Sequence, residues 1–485
     1  MKYSTRLIVV LYILASLSST CLSIKTRKAK EPKREKNNTH QVGFSNLCTI
    51  EDNTAAFRCF CHGGTAPGNV TNTECWIFGS LAKDHEVWFL FSSQPRLTEL
   101  KIIVRPDGQL GFIPTKALEY LKDLKRLMIS YGNVDVIHPY AFANLTELRE
   151  LTLPRSQIAN LDHHAVAHLP NLTEINFNEN RIYQLQKDVF VDLPNLQKLT
   201  INHNNLSFIQ EGAFRYLSHL VELEMKDNFI TVLTKDTFTG LSELKRLDLS
   251  FNNISRLGDL TFAELWVLEE LILERNDIEF ISDRAFAGLT HLRKLDLGHN
   301  NLTTLVNNVF DGIPAIYFLD LRYNHLQTIT FENARPIMHN LRNRTTYFYI
   351  QDNDFVCDCR LKWMYGLYNE TKSDRVKEVL KDLTCYLEDI QEETYDNNDD
   401  NYVFDDNYVT ASIEELRDPF IRRLLHIPPN ELPCPQKIKN PTEIPRYPDK
   451  TPAYAEINSI GRCSTTSLLP LFIYAIATTV DRIIT

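Results

Sequence analysis

The pattern Leu-x-x-Leu-x-Leu-x-x-Asn-x-Leu opens at Leu124 and returns every 24 residues, at Leu148, Leu172, Leu196, Leu220, Leu244, Leu268, Leu292 and Ile316. Divergent copies begin at Leu97 and Thr345. A fixed period of this length constrains the fold more than any other feature of the chain. No single unit can bury its own apolar face, so the units must stack and share one core. Two more columns keep the same register. The ninth residue of successive units is Asn180, Asn204, Asn228, Asn252, Asn276, Asn300, Asn324 and Asn353, which reads as a buried ladder whose amides satisfy backbone groups of successive turns. Arg105, Gly132 and Ser156 hold that place in the first units, so the early coils should be less regular. Eighteen residues after each start stand Phe142, Val166, Phe190, Phe214, Phe238, Phe262, Phe286 and Phe310, a stripe expected to stack in the core.

These columns predict an α/β solenoid over residues 97–355: a leucine-rich-repeat horseshoe of about eleven units, with a concave parallel sheet and an irregular convex return. Its open ends would present apolar core and unpaired sheet edges to water, so both need covers. The cysteines sit where covers belong. Setting Cys21 and Cys463 aside leaves Cys48, Cys59, Cys61 and Cys75 before the repeats and Cys357, Cys359, Cys385 and Cys434 after them. An even set around a cysteine-free middle reads as two disulfide-stapled modules of a secreted chain. A Cys-x-Cys pair suits neither a four-ligand zinc site nor the usual Cys-x-x-Cys redox pair. Spacing alone leaves three pairings open at each end. "NDFVCDCRLKWM", from Asn353 to Met364, resembles the C-terminal cysteine cap of extracellular leucine-rich-repeat proteins, and the first four cysteines resemble their N-terminal cap. That resemblance implies Cys357 with Cys385 and Cys359 with Cys434, and Trp363 is placed to pack on the last coil.

The remaining segments give a domain order. Residues 1–23 have the layout of a secretory signal peptide, with an apolar run from Leu7 to Leu17. A basic arm (24–45) leads into the N-terminal cap (46–96), and the C-terminal cap spans 356–434 with an acidic insertion at 388–406. A proline-rich stalk follows (435–459). The end, 460–485, carries an apolar block from Leu468 to Val480, and fits the removable signal of a glycolipid anchor attached at Ser459. Sequons begin at Asn37, Asn69, Asn144, Asn171, Asn205, Asn253, Asn301, Asn343 and Asn369, matching passage through the secretory route. The expected place is therefore the outer leaflet of the plasma membrane. A net charge of −10 argues against nucleic acid as a partner. Tyr395, Tyr402 and Tyr408, in or beside the acidic run, are candidates for sulfation, and His163, His164 and His168 read as scattered exposed residues rather than a metal site. No nucleophile elbow, phosphate loop or His-Glu-x-x-His motif occurs, so neither enzyme activity nor a cofactor is expected.

The concave face is the expected binding surface. The third residues of its units run Arg126, Glu150, Glu174, Lys198, Glu222, Arg246, Glu270 and Lys294; the fifth include Glu224, Asp248, Asp296 and Asp320. Under an antiparallel two-fold axis Lys198 would face Glu222 and Glu174 would face Arg246 of a second copy, which permits self-association. Asn205, Asn253 and Asn301 share the tenth place of alternate units, so their sugars would line one edge about 10 Å apart. "ECWIF" (Glu74 to Phe78), "YAFANL" (Tyr140 to Leu145), "FAELWVLEEL" (Phe262 to Leu271) and "FVCDCRLKW" (Phe355 to Trp363) resemble the glycolipid-anchored cell-adhesion branch of the insect leucine-rich-repeat proteins. The resemblance spans roughly residues 46–386. It implies homophilic adhesion, as between developing nerve and muscle, with the same protein on a neighbouring cell as partner. The alternative is a cell-surface or secreted receptor for a different protein or a microbial ligand; a structural matrix component is a third reading.

Overall fold

The computed structural model describes residues 46–50, 56–387 and 420–435. The signal peptide, the basic arm with Asn37, the acidic insertion with its tyrosines, the stalk beyond Pro435 and the tail with Ser459 lie outside the described residues. The chain divides into two units, Met1–Pro433 and Cys434–Thr485, and the fold described here belongs to the first.

One strand per coil builds a single 13-stranded sheet. In chain order these are β1 (Phe57–His62), β2 (Asn72–Ile77), β3 (Glu99–Val104), β4 (Arg126–Ser130), β5 (Glu150–Thr152), β6 (Glu174–Asn176), β7 (Lys198–Thr200), β8 (Glu222–Glu224), β9 (Arg246–Asp248), β10 (Glu270–Ile272), β11 (Lys294–Asp296), β12 (Phe318–Asp320) and β13 (Tyr347–Tyr349). Sheet order follows chain order. Every pairing is parallel except β1 with β2. Lys198 lies beside Glu174 and Glu222, one period away on either side, so the 24-residue register of the sequence is the register of the sheet. Alternation does the sorting in the three-residue strands: the middle residue is buried, and the residue before it faces the concave side, while the residue after it is buried at Thr200, Asp248, Ile272 and Asp320.

The asparagine column works as a repeated clasp. Asn228 Nδ2 donates to Ile201 O in the preceding coil at 2.9 Å and to Met225 O in its own at 3.1 Å, while its Oδ1 accepts from Leu206 N at 3.0 Å. Asn252, Asn276 and Asn300 repeat the arrangement. A leucine there would take a partner from each of those buried groups. Ser156 fills the place differently, donating its hydroxyl to Ile129 O at 3.0 Å. The stacked phenylalanines are buried, with Phe238, Phe262 and Phe286 rings 5.8 and 6.2 Å apart and nearly parallel. Between the strand and the clasp lies a feature the sequence does not announce. The eighth residue of ten consecutive units, from Tyr131 to Asp352, adopts a left-handed conformation with φ between 52° and 61° without one glycine among them.

Covers close both ends of the sheet. At the start, β1 and β2 form an antiparallel pair in which Cys59 lies opposite Cys75 and is bonded to it; Cys48 is bonded to Cys61. At the end, Cys357 is bonded to Cys385, and Cys359 and Cys434 are each disulfide-bonded. Helices α1 (Trp363–Glu370) and α2 (Asp374–Asp382) bury Met364, Leu367, Val376, Val379 and Leu380. Trp363 donates its indole N–H to Ile329 O of the last coils at 2.8 Å. The return before β13 is longer than the others; Phe331–Ala334 and Met338–Leu341 take up the excess as short helices, the first closed by a Thr330–Asn333 capping box. Elsewhere the convex return is not uniformly irregular, since two-residue parallel pairs form, as between Val166–Ala167 and Phe190–Val191. The fold is a leucine-rich-repeat solenoid with disulfide-bonded ends.

Candidate recognition surface

Strands β7 to β10 carry an ion-pair ladder along the concave face. Lys198 Nζ reaches Glu222 at 2.9 Å and Glu224 at 3.6 Å; Arg246 reaches Glu222 at 3.3 Å, Asp248 at 3.2 Å and Glu270 at 2.7 Å. Burial opposes both charges of the Lys198–Glu222 pair. Their hydrogen bond and mutual attraction outweigh it, leaving Lys198 above and Glu222 below its ordinary value. The charges that could meet across a two-fold axis are thus already paired along one chain, and Glu174 stands beside Lys198 rather than Arg246. A complex through them gains little, because it must replace interactions already made.

Further along, the character of the face changes. Phe318, on β12, takes the third place of its unit, where earlier units carry charge, and Tyr347 and Tyr349, on β13, take the third and fifth places of the last unit. The three rings lie 5.7 to 6.1 Å apart, centre to centre. A cation stands over each: Lys294 over Phe318 at 5.0 Å, Arg375 of α2 over Tyr347 at 4.3 Å, and Arg322 over Tyr349 at 4.5 Å. Half-buried aromatic rings and arginines are the side chains that most often anchor protein interfaces. The cluster separates two concavities. One, of about 130 Å³, is lined by Glu274, Asp296, Gly298, His299, Phe318, Asp320, Arg322 and Tyr323. The other, of about 410 Å³, is lined by Tyr349, Gln351, Arg375, Glu378, Val379 and Asp382. Arg322 holds Asp320 through Nε at 3.0 Å. Asp296 accepts only from Gly298 N, at 3.2 Å, in the hydrogen-bond network of this hollow. Burial, reinforced by the charge of Asp320, pushes its carboxyl up to about 6.

Trp266 lies on the flank that precedes the strands. It is 60% exposed, with its indole N–H fixed on Ser242 O at 2.8 Å and its own carbonyl accepting from His291 at 3.1 Å. Sequence reasoning passed over Trp266, Phe318, Tyr347 and Tyr349, although each breaks its column. Proline, serine or threonine holds the Trp266 place in neighbouring units, and charged residues hold that of Phe318.

All eight sequon asparagines among the described residues, from Asn69 to Asn369, are exposed. Asn205, Asn253 and Asn301 occupy equivalent turns on the flank that follows the strands, where each backbone N–H donates to the preceding coil. The three early histidines stay at the surface: His168 pairs with Asp192 at 2.9 Å, His163 meets Lys187 O, and His164 stacks on Tyr140. Among the described residues no group of three His, Cys, Asp or Glu is placed to hold a metal ion, and no helix is long and apolar enough to cross a membrane.

Comparison with known proteins gives the same repeat. The leucine-rich-repeat family model matches residues 146–206, 194–254, 218–278 and 266–326. Connectin of Drosophila melanogaster is 39% identical over 87 residues, which are 18% of this chain; the match spans 13% of that protein's own length. Among solved structures, mouse RP105 from its complex with MD-1 is 21% identical with a TM-score of 0.48, covering 64% of this chain and 54% of that one. TLR13 from its complex with a single-stranded RNA is 25% identical with a TM-score of 0.48, covering 55% and 38%. An internalin of Listeria monocytogenes is 18% identical with a TM-score of 0.45, covering 66% and 83%.

Proposed function

We propose that this chain is an extracellular recognition protein that binds a different protein through the last coils of its concave face. The aromatic and cationic cluster of Phe318, Tyr347 and Tyr349 with Lys294, Arg322 and Arg375 supports this reading, since it joins a rigid array of strands to interface-type side chains. Disulfides at both ends suit an oxidising, extracellular setting. A signal peptide and a glycolipid anchor at Ser459 would hold the protein on the outer face of the plasma membrane.

Homophilic adhesion is the second reading, and the likeness to connectin favours it. It fits the ladder less well, because Lys198, Glu222 and Arg246 have partners within their own chain. Surface density could still multiply weak contacts between copies. A photo-crosslinking phenylalanine analogue placed at Tyr349 of the full chain, displayed on cells mixed with tissue lacking it, separates the two. The recognition reading expects an adduct with a different protein. An adduct only with a second copy would put homophilic adhesion first, and adducts forming from Trp266 but not from Tyr349 would place the surface on the flank.

A further inference from the structure

On the flank that follows the strands, three apolar side chains stand out in neighbouring coils: Phe208 is 50% exposed, Phe229 55% and Val232 70%. Single exposed apolar residues need no explanation, but a run of them marks a covered surface or a sticky one. Phe208 and Val232 hold the thirteenth place of consecutive units, so coil spacing sets them about 5 Å apart along the sheet axis. Tyr183, also exposed, holds the twelfth place of the coil before. Phe229 holds the tenth place of its unit, and the tenth places of the coils on either side are Asn205 and Asn253. Both asparagines are exposed and each is followed at the second residue by a serine, Ser207 and Ser255. Their backbones are pinned, Asn205 N to Ile182 O and Asn253 N to Ile230 O, each at 3.0 Å. The asparagines therefore flank the ring of Phe229 along the axis, one coil to each side.

We propose that N-linked oligosaccharides on Asn205 and Asn253 cover this ridge, so that Phe208, Phe229 and Val232 face sugar rather than a protein partner. In the covalent step the Asn Nδ2 bonds to C1 of the first sugar of a lipid-pyrophosphate-linked oligosaccharide. The bond from C1 to the pyrophosphate oxygen breaks, the amide proton is released and the lipid pyrophosphate leaves. The C–H faces of the sugars then pack on the aromatic rings, while their hydroxyls keep the flank wet. Such a cover removes an aggregation surface from a chain whose sheet lies one face away.

The test uses the full chain made in eukaryotic secretory cells. Glycopeptide mass spectrometry should find sugar on both asparagines. Removing sugar from the folded, secreted protein with an amidase that converts the linked asparagine to aspartate should raise binding of an apolar dye and produce self-association, despite the added negative charge. Asn205→Gln with Asn253→Gln should do the same, and adding Phe208→Thr, Phe229→Thr and Val232→Thr should return dye binding and monomer content to those of the glycosylated protein. Unoccupied sequons would overturn the proposal. So would a deglycosylated chain that stays monomeric and binds no extra dye, or self-association that the three threonines do not reverse.

Discussion

Replacing Asn252 with leucine tests the clasp that turns a repeated sequence into a continuous solenoid. Asn252 is buried, and its amide joins the backbones of two neighbouring coils: Nδ2 donates to Met225 O and Leu249 O, both at 3.0 Å, and Oδ1 accepts from Ile230 N at 3.0 Å. Leucine keeps a branched side chain of four heavy atoms but is larger and makes none of these bonds, so Ile230 N–H, Met225 O and Leu249 O each lose a partner. An orphaned buried group costs about 1–3 kcal/mol, and a carbonyl with a second lone pair satisfied costs less than an amide, giving a total of about 3–5 kcal/mol. Because each coil touches only its neighbours, the damage should be local first. Denaturant unfolding should show an early loss of the middle coils, and hydrogen exchange should show Ile230 N–H losing protection before amides of β3 or β12. A stability loss below about 1 kcal/mol, with Ile230 still protected, would mean that the Asn252 amide does not hold the coils together.

Gly240 has φ of +101°, and a Cβ there would lie 2.5 Å from Arg215 Cα, so Gly240→Ala should lower stability by about 2 kcal/mol or more by thermal unfolding. Asp296 makes an opposite prediction. Its carboxyl titrates near 6 in the fold against 3.8 normally, so ionisation costs the folded state; stability should be fullest near pH 4 and fall as pH rises through 6. Asp296→Asn should therefore raise the melting temperature at pH 7, by a gain of about 1–3 kcal/mol, and leave it unchanged near pH 4. Replacing Cys357 and Cys385 together by alanine opens a 28-residue loop and should cost about 3 kcal/mol, read as a lowered unfolding midpoint with β13 and α2 opening first.

Much of this molecule could be read from spacing alone. The leucines at 24-residue intervals predict the parallel register, and Asn180 to Asn353 predict the clasp, because those are requirements of stacking that every unit must meet in the same way. The left-handed column from Tyr131 to Asp352 could not be read: no residue type there is tuned to a positive φ, and the conformation is imposed by turning the chain so that the next asparagine points inward. The ion-pair ladder was visible as a column of alternating charge, yet the column cannot say whether Lys198 meets Glu222 within the chain or across two copies. That depends on side-chain reach between strands about 5 Å apart, which favours the same chain. Phe318, Tyr347, Tyr349 and Trp266 were concealed for another reason. They sit at exposed places, where the repeat puts no demand on residue type, so only their departure from their own columns marks them.

A two-colour cell-mixing experiment tests whether the last coils of the concave face bind a different protein. Cells displaying the full chain are mixed with tissue-derived cells that lack it, alongside cells displaying the Phe318→Ser, Tyr349→Ser variant confirmed at the surface by antibody. Recognition of a different protein predicts mixed clusters in which displaying cells adhere to cells without the chain, and their loss with the variant. Clusters composed solely of displaying cells, unaffected by those two substitutions, would contradict it.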